Sequence, residues 1–291
     1  MKMRKGLYYF IYFFIRLVTL LPMKVLYLFS SLCYYVVFYV MRYRYATVHE
    51  NLRHAFPEKT PAEIQKIIKD FYRYFCDVFI EVLTVWRMDK KALCQKVRFL
   101  NSEVINQLYE KGLSCICVTG HTGNWELASV ASFYLHHKLL AIYKPLRNKQ
   151  VDALMRKHRS VFGAVPVAMH EVPRKFMECR RNAETVLLYA IADQRPAPGQ
   201  EGCWLSFFGR TVPVITGWAR LACRYHLPVV YMDMQRTKRG HYEVSFSLLS
   251  EGSANDTEEK LLMSYLALLE TSIRKNPACY LWSHKRWKYV K

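Results

Sequence analysis

In Val118-Thr119-Gly120-His121-Thr122-Gly123-Asn124-Trp125-Glu126 a histidine is bracketed by Gly120 and Gly123, with a carboxylate five residues further on. An imidazole can take a proton from a hydroxyl near neutral pH. A carboxylate on its other nitrogen fixes the tautomer and stabilises the imidazolium that forms. The apolar run Ser114 to Val118 precedes the histidine and a helix-like segment from Trp125 to Leu135 follows it, which predicts a strand-to-helix turn. Residues five apart on a regular helix point about 140° away from each other. His121 is therefore expected in the turn, freed by its glycines, and Glu126 in the first helical turn, reaching back to the ring. A structural hydrogen bond is the alternative use of such a pair. A zinc site is not expected, because its helical motif needs histidines at i and i+4, and His136 and His137 lie too far along.

Gly-His-Thr-Gly-Asn-Trp-Glu resembles the active-site motif of the lipid A late acyltransferase family, which is similar in turn to the wider glycerolipid acyltransferases with their His-x-x-x-x-Asp. Other blocks share the resemblance. Upstream is Asn51-Leu52-Arg53-His54-Ala55-Phe56-Pro57-Glu58. Tyr143-Lys144-Pro145-Leu146-Arg147-Asn148 is followed by an arginine shortly before Gly163, by position Arg159, with Arg156 as the second candidate. Asp193-Gln194, the stretch Trp204 to Gly209, and Pro277 to Trp287 complete the set. The resemblance implies transfer of a fatty acyl chain from a thioester, carried by acyl carrier protein or coenzyme A, to a hydroxyl of an anionic lipid acceptor. A lipid A precursor in lipopolysaccharide biosynthesis is the acceptor it points to first, and a lysophospholipid or aminolipid the second. In this reading His121 is the base and Glu126 orients it, while Arg159 and backbone amides near Asn124 stabilise the oxyanion. Asp193, with Gln194 beside it, orients Arg159 or the acceptor. No cofactor beyond the acyl thioester is expected, and no Gly-x-Ser-x-Gly is present to supply a serine nucleophile. His49 and His54 are expected to be structural.

Composition narrows the partners. The 291 residues are 52% hydrophobic, ample for a core, and carry a net charge of +20. Such a charge calls for nucleic acid, an anionic membrane surface or an acidic carrier protein. The 21 tyrosines favour the lipid interface, and no helix-turn-helix, zinc-finger or RNP pattern supports nucleic acid. A non-catalytic basic membrane-binding protein is the alternative from another class. The nine cysteines are odd in number, scattered and without Cys-x-x-Cys, as expected of reduced thiols facing the cytosol.

In chain order, Lys2, Arg4 and Lys5 lead an apolar region interrupted at Arg16, Pro22 and Lys24, with no charge from Val25 to Met41 and Arg42 and Arg44 beyond. It is too long for a secretory signal and lacks a cleavage site, so it is expected to stay on the chain. Basic flanks on both sides are equally compatible with a segment that dips and returns, bent at Pro22, and with one that crosses. Residues 1–45 are expected to form the hydrophobic helical anchor and 46–291 a single mixed-sheet α/β domain flanked by helices. The location implied is the bacterial inner membrane, with the catalytic domain on the cytosolic side.

Thr60, Pro61 and Glu63 predict a capped amphipathic helix to about Trp86. A helix over 98–111, capped by Asn101 or Ser102, is expected next. Strands are expected at Leu139 to Tyr143, Val165 to Ala168, Val186 to Ile191, Pro228 to Asp233 and Tyr242 to Leu248. Helices are expected from Lys149 to Phe162, ahead of Leu221 behind Pro213 and Thr216, and from Thr257 to Lys275. The tail, with Trp282, Trp287 and Tyr289 among Lys285, Arg286, Lys288 and Lys291, reads as a headgroup-facing surface. Phe207 and Phe208 are candidates for an acyl groove or for the core.

Overall fold

The apolar runs become a seven-stranded sheet, seen in a computed structural model that describes residues 18, 20–85, 88–146, 148–197, 199 and 202–289. The expectations placed on Lys2, Arg4, Lys5, residues 6–15, Arg16, Trp86, Arg147 and Lys291 lie outside these residues. The strands are β1 (Val97–Phe99), β2 (Cys115–Thr119), β3 (Lys138–Tyr143), β4 (Val165–Ala168), β5 (Val186–Ile191), β8 (Val229–Lys238) and β9 (His241–Ser250), in the spatial order β1-β9-β8-β2-β5-β3-β4. All neighbours run parallel except β8 and β9, which form an antiparallel hairpin, so the sheet is mixed. Strands β6 (Cys203–Phe207) and β7 (Arg210–Val214) make a separate hairpin that periodicity alone does not announce.

Central β2 is buried at all five positions, as a parallel strand covered on both faces must be. Ile116 and Val118 face a core shared with helices Gly217–Tyr225 and Glu258–Lys275. Cys115 and Cys117 face the other, under the segment after the His121 turn. None of the nine cysteines is paired.

Among the helices that cover the sheet, numbered from the N-terminus, α1 (Met23–Tyr35) continues into a π-helical turn (Val36–Val40), and α2 (Tyr45–Ala55) follows. Helix α3 (Pro61–Thr84) begins as expected. The Thr60 Oγ1 accepts from the Glu63 amide at 3.3 Å and the Glu63 carboxylate accepts from the Thr60 amide at 2.8 Å. Such a box satisfies two otherwise free amides of the first turn reciprocally. After α4 (Lys90–Lys96) the expected helix over 98–111 divides, because residues 97–99 pair with β9 as β1 and only α5 (Glu103–Glu110) is helical.

Met23–Val40 is long and apolar enough to cross a membrane, with a mean hydropathy of 1.5 over 18 residues. Leu26, Ser30 and Tyr34 turn inward, whereas Leu28, Phe29, Leu32, Tyr35, Tyr39 and Val40 stay exposed, as does Phe79 of α3. The C-terminal block corrects an expectation. Trp282, Arg286 and Trp287 are 0%, 1% and 7% exposed, stacked in the core with Phe207 instead of presented to headgroups. Asn51 holds that block in place, donating to the Trp282 and His284 carbonyls at 2.7 and 2.8 Å. The block folds inward because its rings fill the space under the β6–β7 hairpin. Phe207 and Phe208 are core residues for the same reason.

Candidate active site

His121 and Asp193 meet because of strand register. Thr119 closes β2 and pairs with Ile191, which closes β5, and the ladder continues with the Ala192 amide donating to the Thr119 carbonyl at 3.0 Å. Each side chain stands two residues beyond that last pair, at the C-terminal end of adjacent parallel strands, where open α/β sheets place their ligands. His121 Nδ1 lies 2.6 Å from Asp193 Oδ1. Asp193 is 2% exposed and His121 15%. With Nδ1–H donating to the carboxylate, the lone pair of Nε2 faces outward, where the Gln194 side-chain nitrogen approaches to 3.3 Å. The Trp125 ring packs edge-on against the imidazole, centroids 5.0 Å apart.

Burial alone would push the Asp193 carboxyl up. The His121 charge and the hydrogen bonds from its ring and backbone outweigh that cost and hold it below the usual carboxylate range. At nearby His284 the balance goes the other way. Burial pushes it down to about 4, against the opposing pull of Asp193. Between about pH 6.5 and 4 only the unfolded chain takes up that proton, so stability falls as pH falls through this window. The loss is of order 3 kcal/mol when complete. Thermal melts from pH 7 to pH 4 should show a falling Tm, and His284→Gln should flatten part of that slope.

The carboxylate expected to orient His121 has another partner. Glu126 accepts from Arg159 Nε at 3.2 Å and from Nη2 at 2.8 Å, a bidentate pair. The Nδ1 side of the ring thus meets Asp193, and of the two uses expected for Asp193, orienting Arg159 or the acceptor, the first is not seen, since Arg159 is held by Glu126. The helix geometry explains Glu126. Residues Trp125–Phe133 form a 3-10 helix in place of the expected α-helix to Leu135. With three residues per turn, positions 126 and 132 eclipse, whereas an α-helix would set them far apart. Both look toward the end of α6 (Lys149–Ser160), where Glu126 finds Arg159 and Ser132 donates to the Phe162 carbonyl. Burial opposes the charge of Arg159, but Glu126 more than offsets it and keeps the guanidinium above its ordinary value. Arg156 is exposed, whereas Arg159 is partly buried against Glu126.

Asn124 is fully buried and donates its Nδ2 to Glu81 at 2.9 Å, so its side chain serves the turn from beneath. Gly123 has φ +54°, and a Cβ there would lie 2.7 Å from the Met234 carbonyl oxygen. Gly123→Ala combines a left-handed backbone, costing about 1–2 kcal/mol, with a backbone clash. It should lower the Tm and abolish function together.

Sequence reasoning missed what grips the turn from outside. The Gly123 amide donates to the Cys279 carbonyl at 3.0 Å and the Leu281 amide to the His121 carbonyl at 3.2 Å. Tyr280, two residues before Trp282, sits with its phenol near Asp193, and burial and that carboxylate raise it well above its ordinary value. The aromatic and basic pattern of the tail masked this role. His49 and His54 are engaged elsewhere, His49 stacked on Tyr45 and His54 beside Arg210 and Glu50. Among the described residues no cluster of three or more His, Cys, Asp or Glu could hold a metal ion.

Residues 1–289 match the family model described as bacterial lipid A biosynthesis acyltransferase. No curated protein matches the chain.

Proposed function

Because this chain belongs to the bacterial lipid A biosynthesis acyltransferase family, we propose that His121 and Asp193 are the general-base dyad with which it moves a fatty acyl chain from a thioester to a hydroxyl of a lipid A precursor. The observation that carries this reading is the 2.6 Å bond between His121 Nδ1 and a nearly inaccessible carboxylate, which leaves Nε2 as the proton acceptor. Nε2 takes the hydroxyl proton as the acceptor oxygen attacks the thioester carbonyl. The tetrahedral intermediate then collapses, the C–S bond breaks, and the imidazolium returns the proton to the departing thiolate. Asp193 stays ionised throughout and stabilises the imidazolium. No acyl-enzyme is required, since the thioester is already activated, and no cofactor enters the scheme.

Arg159 is half-buried and held in one orientation by Glu126, with the Tyr143 ring 5.9 Å from its guanidinium carbon. It directs its remaining N–H groups to the oxyanion or to an acceptor phosphate. The apolar face of α1 and its continuation, with Phe79, rests in the bilayer on the side from which a lipid acceptor arrives. The net charge of +20 draws an acidic acyl carrier protein and anionic headgroups to the rest of the surface.

Purified protein in lipid, given acyl carrier protein and coenzyme A thioesters with a lipid A precursor and a lysophospholipid as acceptors, should acylate the precursor, read by product mass. Acylation of the lysophospholipid alone would move the acceptor, and no His121-dependent product from any pair would reject the reading. Raising salt should weaken use of the acyl carrier protein thioester far more than use of a neutral soluble thioester. Equal salt dependence would remove the carrier from the scheme.

A further inference from the structure

Tyr74, Asp77, Glu81 and Thr84 recur three, four and three residues apart, so they form one stripe along α3. All four are at most 3% exposed. Two carboxylates on a buried stripe are costly unless donors surround them, and here they do. Asp77 accepts from Ser30 Oγ at 2.6 Å, from Arg236 Nη2 at 2.6 Å and from Arg239 Nη2 at 2.6 Å. Glu81 accepts from the Tyr27 hydroxyl at 3.0 Å, from Asn124 Nδ2 at 2.9 Å and from the Tyr242 hydroxyl at 2.6 Å. Two turns earlier on the helix, Tyr74 donates its hydroxyl to the Gly123 carbonyl.

Helix α3 therefore grips consecutive residues of the His121 turn, Gly123 and Asn124. That turn contains two glycines and has little stiffness of its own. Asn124 occupies the N-cap position of the 3-10 helix, where an asparagine ordinarily turns its side chain to the first amides of the helix. It makes no such bond and is turned instead to Glu81. The same carboxylate holds Tyr27 of α1, the helix whose other face is apolar and exposed, and one turn away Asp77 holds Ser30. Buried polar contacts at successive turns thus join the seat of the apolar helix to the turn that presents the imidazole.

We propose that Glu81 is a positioning residue for His121: through Asn124 it sets the shape of the turn, and through Tyr27 it makes that shape depend on how α1 is seated. This rests on the dyad reading of the site for its effect on turnover, but its effect on the imidazole can be observed without substrate. Glu81→Gln keeps the volume and removes one of two acceptor oxygens. The double variant Glu81→Gln/Asn124→Asp exchanges acid and amide, so the pair can form again with its polarity reversed. Tyr27→Phe removes the bond between Glu81 and α1 and leaves the one from Ser30 to Asp77 in place.

The test measures acyl-transfer kinetics, the melting temperature and the ring resonances of isotopically labelled His121, on the full chain in vesicles of phosphatidylethanolamine and phosphatidylglycerol. Glu81→Gln should lower kcat by about 10–100-fold, the scale of a small misplacement of a reacting group, with acceptor KM little changed and the His121 resonances shifted. The exchanged pair should restore most of both, and Tyr27→Phe should shift the resonances in the same direction by less. Unmoved resonances and wild-type kcat in Glu81→Gln would overturn the proposal. So would a loss that tracks the melting temperature and is not relieved by the exchange, since that is a structural role only. Unmoved resonances in Tyr27→Phe would overturn the link to α1. If wild-type protein transfers no acyl chain, the functional reading fails, while the resonances still decide whether Glu81 positions His121.

Discussion

His121→Ala should lower acyl transfer by about 10²–10⁴-fold, the usual contribution of a positioned general base, and should leave the fold and the membrane association intact. The ring contributes little to the core. It is partly exposed and touches the Trp125 ring on one side and Asp193 and Gln194 on the other. The turn itself is held by backbone bonds to Cys279 and Leu281 and by the grip of Tyr74 and Glu81, none of which uses the imidazole. The loss should appear in kcat at saturating acceptor, with an unchanged distribution between membrane and soluble fractions. Near-normal transfer by this variant would end the mechanism.

Asp193→Asn should be almost as damaging, by about 10²–10⁴-fold, because it changes which ring nitrogen carries the proton. An amide in place of the carboxylate can present its N–H to Nδ1. Nδ1 then becomes the acceptor, Nε2 holds the hydrogen, and no lone pair is offered to the incoming hydroxyl. The buried negative charge that stabilises the imidazolium is lost as well. Glu126→Gln is the informative comparison. It leaves the Asp193–His121 bond in place and weakens the bidentate hold on Arg159, so its main effect should fall on the KM of the anionic substrate. Parallel determination of kcat and KM for the two variants separates the roles. If Glu126→Gln removes kcat while Asp193→Asn retains it, the dyad is His121 with Glu126, and the 2.6 Å contact is structural.

The sequence by itself determined what local physics controls. Two glycines around His121 and an apolar run before it are enough to mark a strand end that presents a ring. Thr60, Pro61 and Glu63 define the start of α3, short apolar runs locate β3, β4 and β5, and alternation locates β8 and β9, although β8 runs on to Lys238. The seven-residue motif and its companion blocks identified the family that the match over residues 1–289 shows. Spacing places Asp77 and Glu81 on one stripe of α3 but does not say which donors surround them, and nothing local in the sequence singles them out.

Only the tertiary structure decided which carboxylate meets the imidazole. Glu126 is five residues from His121 and Asp193 is 72 away. The nearer acid still turns to Arg159, because the segment winds with three residues per turn and aims position 126 at the end of α6. The distant one is delivered by the pairing of Thr119 with Ile191, an alignment of two parallel strands that no local pattern encodes. The same holds for the tail, whose tryptophans and Arg286 read as a surface for headgroups and are buried beneath the β6–β7 hairpin. Amphipathic composition says that a side chain has an apolar and a polar part. Which neighbour satisfies each part depends on contacts between residues far apart in the chain.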